Sequence, residues 1–286
     1  MKRLCSVRDV LDLLDFADES IGPLRTHLLR AASHPRFLKC AEGRRFVAHL
    51  FRADAGFAAD LHRAARAQIA GARKSVLAAY ADIYYHAWKG AAERAEEVGD
   101  DDDDDDGRGA AAAAIRASLE ENALQDLAYL RLHAAVPAAS AAARAVLGRF
   151  HDHKKAPDVE RLLHRTYGPL LWRALAAAHA GVRARAADVL ADTFPLRDPD
   201  AGPEQTEACA ARGVAALRRA MEDDVPRVRA AGSRATAKVL SLFWSAVPPK
   251  DIRSLLNREC LNVDVFDAPF QNHLEGSPWQ LVFVVV

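Results

Sequence analysis

The chain has 286 residues, half of them apolar or aromatic, and a formal net charge of zero. No apolar run approaches the ~18 residues needed to span a bilayer, and the leading leucines are interleaved with Asp9, Asp12 and Asp15, which argues against a signal peptide. Four cysteines at 5, 40, 209 and 260 form no CxxC pair, so neither a zinc ribbon nor a redox motif is encoded, and a reducing, intracellular compartment fits best.

Alanine dominates, helix formers abound, and β-branched residues are sparse until the last positions. That is the composition of an all-α protein. Charge is unevenly spread: the window from Glu93 to Asp106 carries −9 and the remainder therefore +9. A positive helical body can meet nucleic acid or an acidic partner.

Residues 1–35 read as N-terminal helices. Val7, Val10, Leu11 and Leu14 share one helical face, Gly22-Pro23 breaks the pattern, Leu24 and Leu28 resume it, and His34-Pro35 breaks it again. Residues 36–98 are helical, with Phe46, Val47, Leu50 and Phe51 as one stripe and Asp54 as the N-cap of the next helix. The aromatic set Tyr80, Tyr84 and Trp88, with Val76 and Ile83, reads as core rather than as a ligand pocket.

Residues 99–109 hold the unbroken acidic run Asp100–Asp106. Seven like charges repel one another and predict a disordered, solvated loop, without the fixed geometry a metal needs. Residues 110–157 continue the helices, with Ile115, Leu119, Leu124 and Leu127 inward and Pro137 opening another helix. His151 and His153 point apart on a helix and read as a polar helix end.

An internal repeat then appears, at 158–203 and 204–250. Val182-Arg183 and Val228-Arg229 stand 46 residues apart, and at the same offset Ala186 falls on Gly232 and Phe194 on Leu240. The inner face of the second unit includes Val214, Leu217, Val228, Ala231, Ala235, Val239, Leu242 and Phe243, while Pro169 should kink the first helix of the first unit. A period in the forties built from two helices predicts a HEAT-repeat α-solenoid, a right-handed stack of antiparallel helix pairs. Residues 251–286 begin a third unit up to about Asn257, then lose the helical period and end in an irregular apolar tail, LVFVVV. An array that stops mid-unit is expected to be a truncated or alternatively spliced product of a longer one.

No phosphate loop, dinucleotide fingerprint, zinc-protease or nucleophile-elbow motif is present, so nothing supports an enzyme, a cofactor, a metal or a small-molecule substrate. The candidate partner-binding or DNA-binding residues are basic: Lys154, Lys155, Arg173, Arg183, Arg185, Arg218, Arg219, Arg227 and Arg229. One role is a stripe that touches phosphates. The other, favoured for Arg183 and Arg229, is pairing with an acidic residue of the preceding unit, Asp223 or Asp224 being the candidates.

Six ordered blocks carry a further resemblance: AEGRRFVAHLF (41–51), YADIYYHAWKGA (80–91), VLGRFHDHKK (146–155), LHRTYGPLLWRAL (163–175), VRARAADVLADTFPLRDP (182–199) and MEDDVPRVRAAG (221–232). They resemble the G-type HEAT subunits of condensin II. The resemblance covers roughly residues 36–257 and implies a large solenoid that binds the condensin II kleisin. It implies work beside a second HEAT subunit and two SMC ATPases in mitotic chromosome condensation. It also implies a nuclear, chromosomal location, with contacts to DNA or histone tails. Proteins of this family are much longer, the Asp run looks like an insertion, and residues 258–286 do not match. The readings to set against it are a HEAT adaptor of nuclear-transport or phosphatase type, and a stand-alone DNA-binding solenoid.

Overall fold

The computed structural model describes residues 7–97 and 108–255, apart from 9, 12, 17, 245, 246, 249 and 254. The acidic run and the apolar tail lie outside the described residues. The described residues are helical, with no strand among them. After a single 3-10 turn at Glu19–Ile21, the helices are α1 (Gly22–Ala32), α2 (Pro35–Lys39), α3 (Ala41–Leu50), α4 (Ala55–Ile69), α5 (Lys74–Glu97), α6 (Arg108–Ser118), α7 (Gln125–His133) and α8 (Pro137–Asp152). They continue with α9 (Pro157–Leu175), α10 (Ala180–Thr193), α11 (Pro203–Met221) and α12 (Pro226–Phe243). They fall into two units, one up to His153 and one from Lys154.

Local chemistry sets the helix starts. α8, α9, α11 and α12 each open on proline, whose fixed φ suits the first turn and whose missing N–H is not needed there. The Asp54 carboxylate accepts from the Phe57 amide at 2.7 Å and caps α4, as its sequence position predicts. Cys40 caps α3 in the same way through its sulfur, which accepts from the Gly43 amide at 3.3 Å.

In the first unit α5 is the central helix, packed against α3, α6 and α8. Tyr80, Ile83, Tyr84 and Trp88 are all buried, which confirms the aromatic set as core. Their polar tips are satisfied, as burial requires. Trp88 Nε1 donates to Glu120 at 2.8 Å, and Tyr80 Oη donates to Gln68 at 2.9 Å. His62 joins the Tyr84 hydroxyl at 2.7 Å to Asp126 at 3.2 Å, and Arg66 Nε donates to the same carboxylate at 2.7 Å. Hydrogen bonding from His62 first, then from Arg66, holds the Asp126 carboxyl below its ordinary range, while burial pushes the Tyr84 phenol well above its own.

The structure departs from the sequence reading in the stretch expected to be one helix from 110 to 132. A π turn, Leu119–Leu124, joins α6 to α7. The inward residues explain it. Ile115 to Leu119 is a step of four and Leu124 to Leu127 a step of three, but Leu119 to Leu124 is a step of five, and one π turn absorbs the extra residue. Two smaller corrections concern exposure. Leu242 is 59% exposed because the inner stripe of α12 passes through Phe243, which packs on Phe194 with ring centroids 5.4 Å apart. Of the N-terminal face, Leu11 is buried, but Val7 and Val10 are exposed.

In the second unit the repeat is visible as packing. α10 packs against α9, α11 and α12, and α11 packs against α12. Val182 and Val228 are both buried, as are Ala186 and Gly232. The equivalence ends at Phe194 and Leu240. α12 continues past Leu240, whereas Phe194 is already extended, because the residue before a proline disfavours helix and Pro195 follows. α9 runs through Pro169 as one helix. Ile252 and Leu255 are buried in helical backbone after α12.

At Gly232 α12 lies close against the backbone at the end of α11. A Cβ there would lie 2.8 Å from the Ala220 carbonyl carbon. Gly168, inside α9, faces open space. Gly232→Ala should therefore cost about 1–3 kcal/mol by overpacking, and Gly168→Ala should gain about 0.5–1 kcal/mol from helix propensity. Urea denaturation of both variants checks this, and shifts of the same sign would contradict the packing.

Candidate functional site

The basic residues singled out by the sequence gather at two ends of the helices of the second unit. The first is the turn end, where α10 and α12 begin. Arg183, in the first turn of α10, donates from Nη1 to the carbonyls of Ala177 and Ala178 at 2.9 and 2.8 Å, which closes its own α9–α10 turn. Its Nε and Nη2 form a fork on the Asp223 carboxylate at 2.6 and 2.8 Å. Arg229, one repeat later, donates from Nη1 to the Asp223 and Asp224 carbonyls at 3.0 and 3.1 Å. The two arginines thus do the same local work at an offset of 46 residues.

The structural role expected of Arg183 is what the geometry shows, with one correction: its acid, Asp223, belongs to the following repeat. The reason is positional. Asp223 sits in the α11–α12 turn, which packs beside the start of α10. Arg229 takes only carbonyls of its own turn among these contacts. The hydrogen bonds from Arg183 hold the Asp223 carboxyl below its ordinary value of 3.8, with a smaller contribution from the Val225 amide.

The second end is where α10 and α12 finish. Lys154 donates from Nζ to the carbonyls of Asp192 and Phe194, both at 3.0 Å, and so caps the C-terminus of α10. Its ammonium also lies 4.9 Å from the Phe243 ring centroid. Burial, reinforced by the nearby Lys238, pushes its pKa down to about 8. Lys238 Nζ donates to the buried Asp192 carboxylate at 2.6 Å. Lys154, Lys155, Glu160, Phe194, Arg197 and Phe243 border a cleft of about 310 Å³ there, with Arg197 paired to Glu160 at 2.7 Å.

The remaining candidates separate by exposure. Arg218 is paired with Asp251 at 3.1 Å, and Arg185 is half-buried beside Arg227. Lys155, Arg173, Arg219 and Arg227 are exposed, with Arg173 turned back onto the Pro169 carbonyl at 2.8 Å. The nine residues therefore do not form one open stripe. Sequence reading overlooked the Asp192–Lys238 pair, although its spacing of 46 residues equals the repeat. Among the described residues no group of three or more His, Cys, Asp or Glu is placed to hold a metal ion.

Stacked helix pairs tied at their turns by arginine define a class: a helical-repeat scaffold of the HEAT kind. The particular family follows from comparison. The sequence profile of the condensin II non structural maintenance of chromosomes subunit matches residues 30–198, and the chain belongs to that family. The condensin-2 complex subunit G2 of Homo sapiens is 30% identical over 260 residues, 90% of this chain and 21% of that protein. The Mus musculus subunit G2 is 29% identical over 257 residues, with the same coverage, and the Danio rerio one 30% over 265 residues, 92% of this chain and 21% of its own length. The chain thus spans about a fifth of the length of these relatives. No solved structure matches.

The Arg183–Asp223 tie has a pH signature. A carboxyl whose pKa is lowered by folding contributes stability above its unfolded value of 3.8, and that contribution disappears as pH falls through the lowered value. Wild type should melt above Asp223→Asn at pH 7, and the gap should close as pH drops below 3.8. A gap independent of pH in thermal melts would refute the assignment.

Proposed function

We propose that this chain is a non-catalytic scaffold segment of condensin II that binds the kleisin subunit and, on exposed basic residues, assists engagement of chromatin. The observation that carries this reading is family membership across residues 30–198, together with a tied helix-pair repeat that continues beyond it to Phe243. The physics agrees with a scaffold. A stack of helix pairs offers a long groove in which an extended peptide can lay its side chains, with little rearrangement of the helices. The relatives are named as subunits of the condensin-2 complex. Through the kleisin the segment would stand beside the SMC ATPase pair and the second HEAT subunit, on nuclear chromosomes and within reach of histone tails. ATP hydrolysis falls to the SMC partners in this reading, in keeping with a sequence that contains no phosphate loop.

DNA engagement within the second unit would use Lys155, Arg173, Arg219 and Arg227, the exposed members of the predicted set. Arg183, Arg218 and Lys154 would act indirectly, by holding the turns and helix ends in place.

The test is co-purification of the condensin II kleisin with this chain and with a version ending at Asn257. Retention of the kleisin by both is expected. Failure of both, with circular dichroism showing them helical, would overturn kleisin binding by this segment.

A further inference from the structure

A second basic surface lies in the first unit, on residues the sequence reading did not single out. α5 packs against both α3 and α8. α3 supplies Arg44 and Arg45, and the turn after it supplies Arg52. Asp82, His86 and Lys89 follow one another along one face of α5 at helical spacing, the last two exposed. α8 supplies Arg149.

Asp82 is the hub. Its carboxylate lies 3.2 Å from Arg44 Nε and 3.6 Å from Arg149 Nε, so one acid draws together cations from the two flanking helices. Arg45 reaches Glu42 at 3.0 Å yet keeps 65% of its side chain exposed, and Arg149 keeps 44%. The Arg52 guanidinium lies against α5 at Gly90, in the space that a Cβ would otherwise take. His86 stands among these groups. Its desolvation, and then the guanidinium groups of Arg149, Arg45 and Arg52, hold it below the ordinary imidazole range against the pull of Asp82. Tyr85 lies beneath, with Arg149 5.9 Å over its ring and His153 stacked at 4.8 Å.

Three arginines, Arg44, Arg45 and Arg149, thus share two carboxylates, Asp82 and Glu42, with Lys89 exposed on the same face of α5, while Glu93 marks the acidic edge one turn beyond Lys89. We propose that this face of α3, α5 and α8 is a binding site for the phosphodiester backbone of nucleic acid, with Arg45, Lys89 and Arg149 as its outward contacts. Guanidinium forks match phosphate oxygens. Packed helices stand about 8–10 Å apart, so cations on three of them extend over roughly 20 Å. One strand of a duplex offers about six phosphates over that length. An open array suits a repeated anion, whereas a single phosphorylated side chain needs a convergent pocket. Asp82 is a positioning residue that gathers the arginines. The inference rests on the reading that this chain engages DNA, and adds a place for it outside the repeats.

The test is fluorescence anisotropy of a labelled 30-base-pair duplex against the full chain, across 50–200 mM salt. Arg45→Glu/Lys89→Glu/Arg149→Glu should weaken binding by about tenfold or more and reduce the log–log salt slope by about 3. Lys155→Glu/Arg219→Glu/Arg227→Glu, on the second unit, should weaken binding by a clearly smaller factor and reduce the salt slope by less. The neutral triple Arg45→Gln/Lys89→Gln/Arg149→Gln should fall between, with an unchanged melting curve, which separates lost contacts from misfolding. Loss that follows the repeat variant instead would overturn this placement and leave the DNA reading standing. A wild-type chain that binds no duplex would overturn both, without touching kleisin binding. A phosphopeptide that displaces the duplex only from the wild-type surface, at lower concentration than unlabelled DNA, would reassign the face to a protein partner.

Discussion

The fork between Arg183 and Asp223 is the contact on which the second unit depends. A helix pair that exposes one apolar face cannot set its own distance or register against the next pair, because apolar packing is non-directional. A guanidinium that closes its own turn through two carbonyls and grips a carboxylate of the next turn supplies that direction. Asp223 in turn accepts from the Val225 amide, so the turn that holds the acid is itself organised by it. At the opposite end Lys154 does comparable work, satisfying carbonyls of the α10 terminus that the helix leaves without partners.

Charge in this protein divides into what holds the fold and what is left for partners. Asp192 gathers Lys238 through its carboxylate and Lys154 through its carbonyl, and Asp251 takes Arg218. In the first unit Asp82 stands between Arg44 and Arg149 and leaves both partly open. The net charge of zero conceals this, because the window from Glu93 to Asp106 holds −9 and balances a basic helical body. Position within the fold, not composition, decides which cations stay accessible.

Membership of the condensin II non-SMC family and the helix-pair repeat support one another without being the same evidence. The family profile ends at residue 198, and the second helix pair, α11 and α12, lies beyond it. The relatives extend the match over about nine-tenths of the chain while being roughly four times its length. A scaffold is tolerant of such proportions, because each helix pair contacts mainly its neighbours and stability accumulates locally.

Much of this architecture was legible in the residues. The prolines at 137, 157, 203 and 226, the cap at Asp54 and the 46-residue spacing are local or periodic signals, and each fixes helix starts and inward faces without reference to the rest of the chain. The five-residue step from Leu119 to Leu124 was also present, though it reads as an irregularity until the π turn is seen. What the residues alone did not decide is which charge meets which. Asp223 and Asp224 are adjacent in sequence and equal in chemistry, and only the packing of the α11–α12 turn against α10 brings Asp223 to Arg183. Likewise Arg45, His86 and Arg149 lie far apart in the chain and share a surface because α5 packs against both α3 and α8. Apolar periodicity is an intrahelical property and survives in sequence. A hydrogen-bonded ion pair requires its atoms to meet at about 3 Å in the right orientation, so it belongs to the tertiary structure.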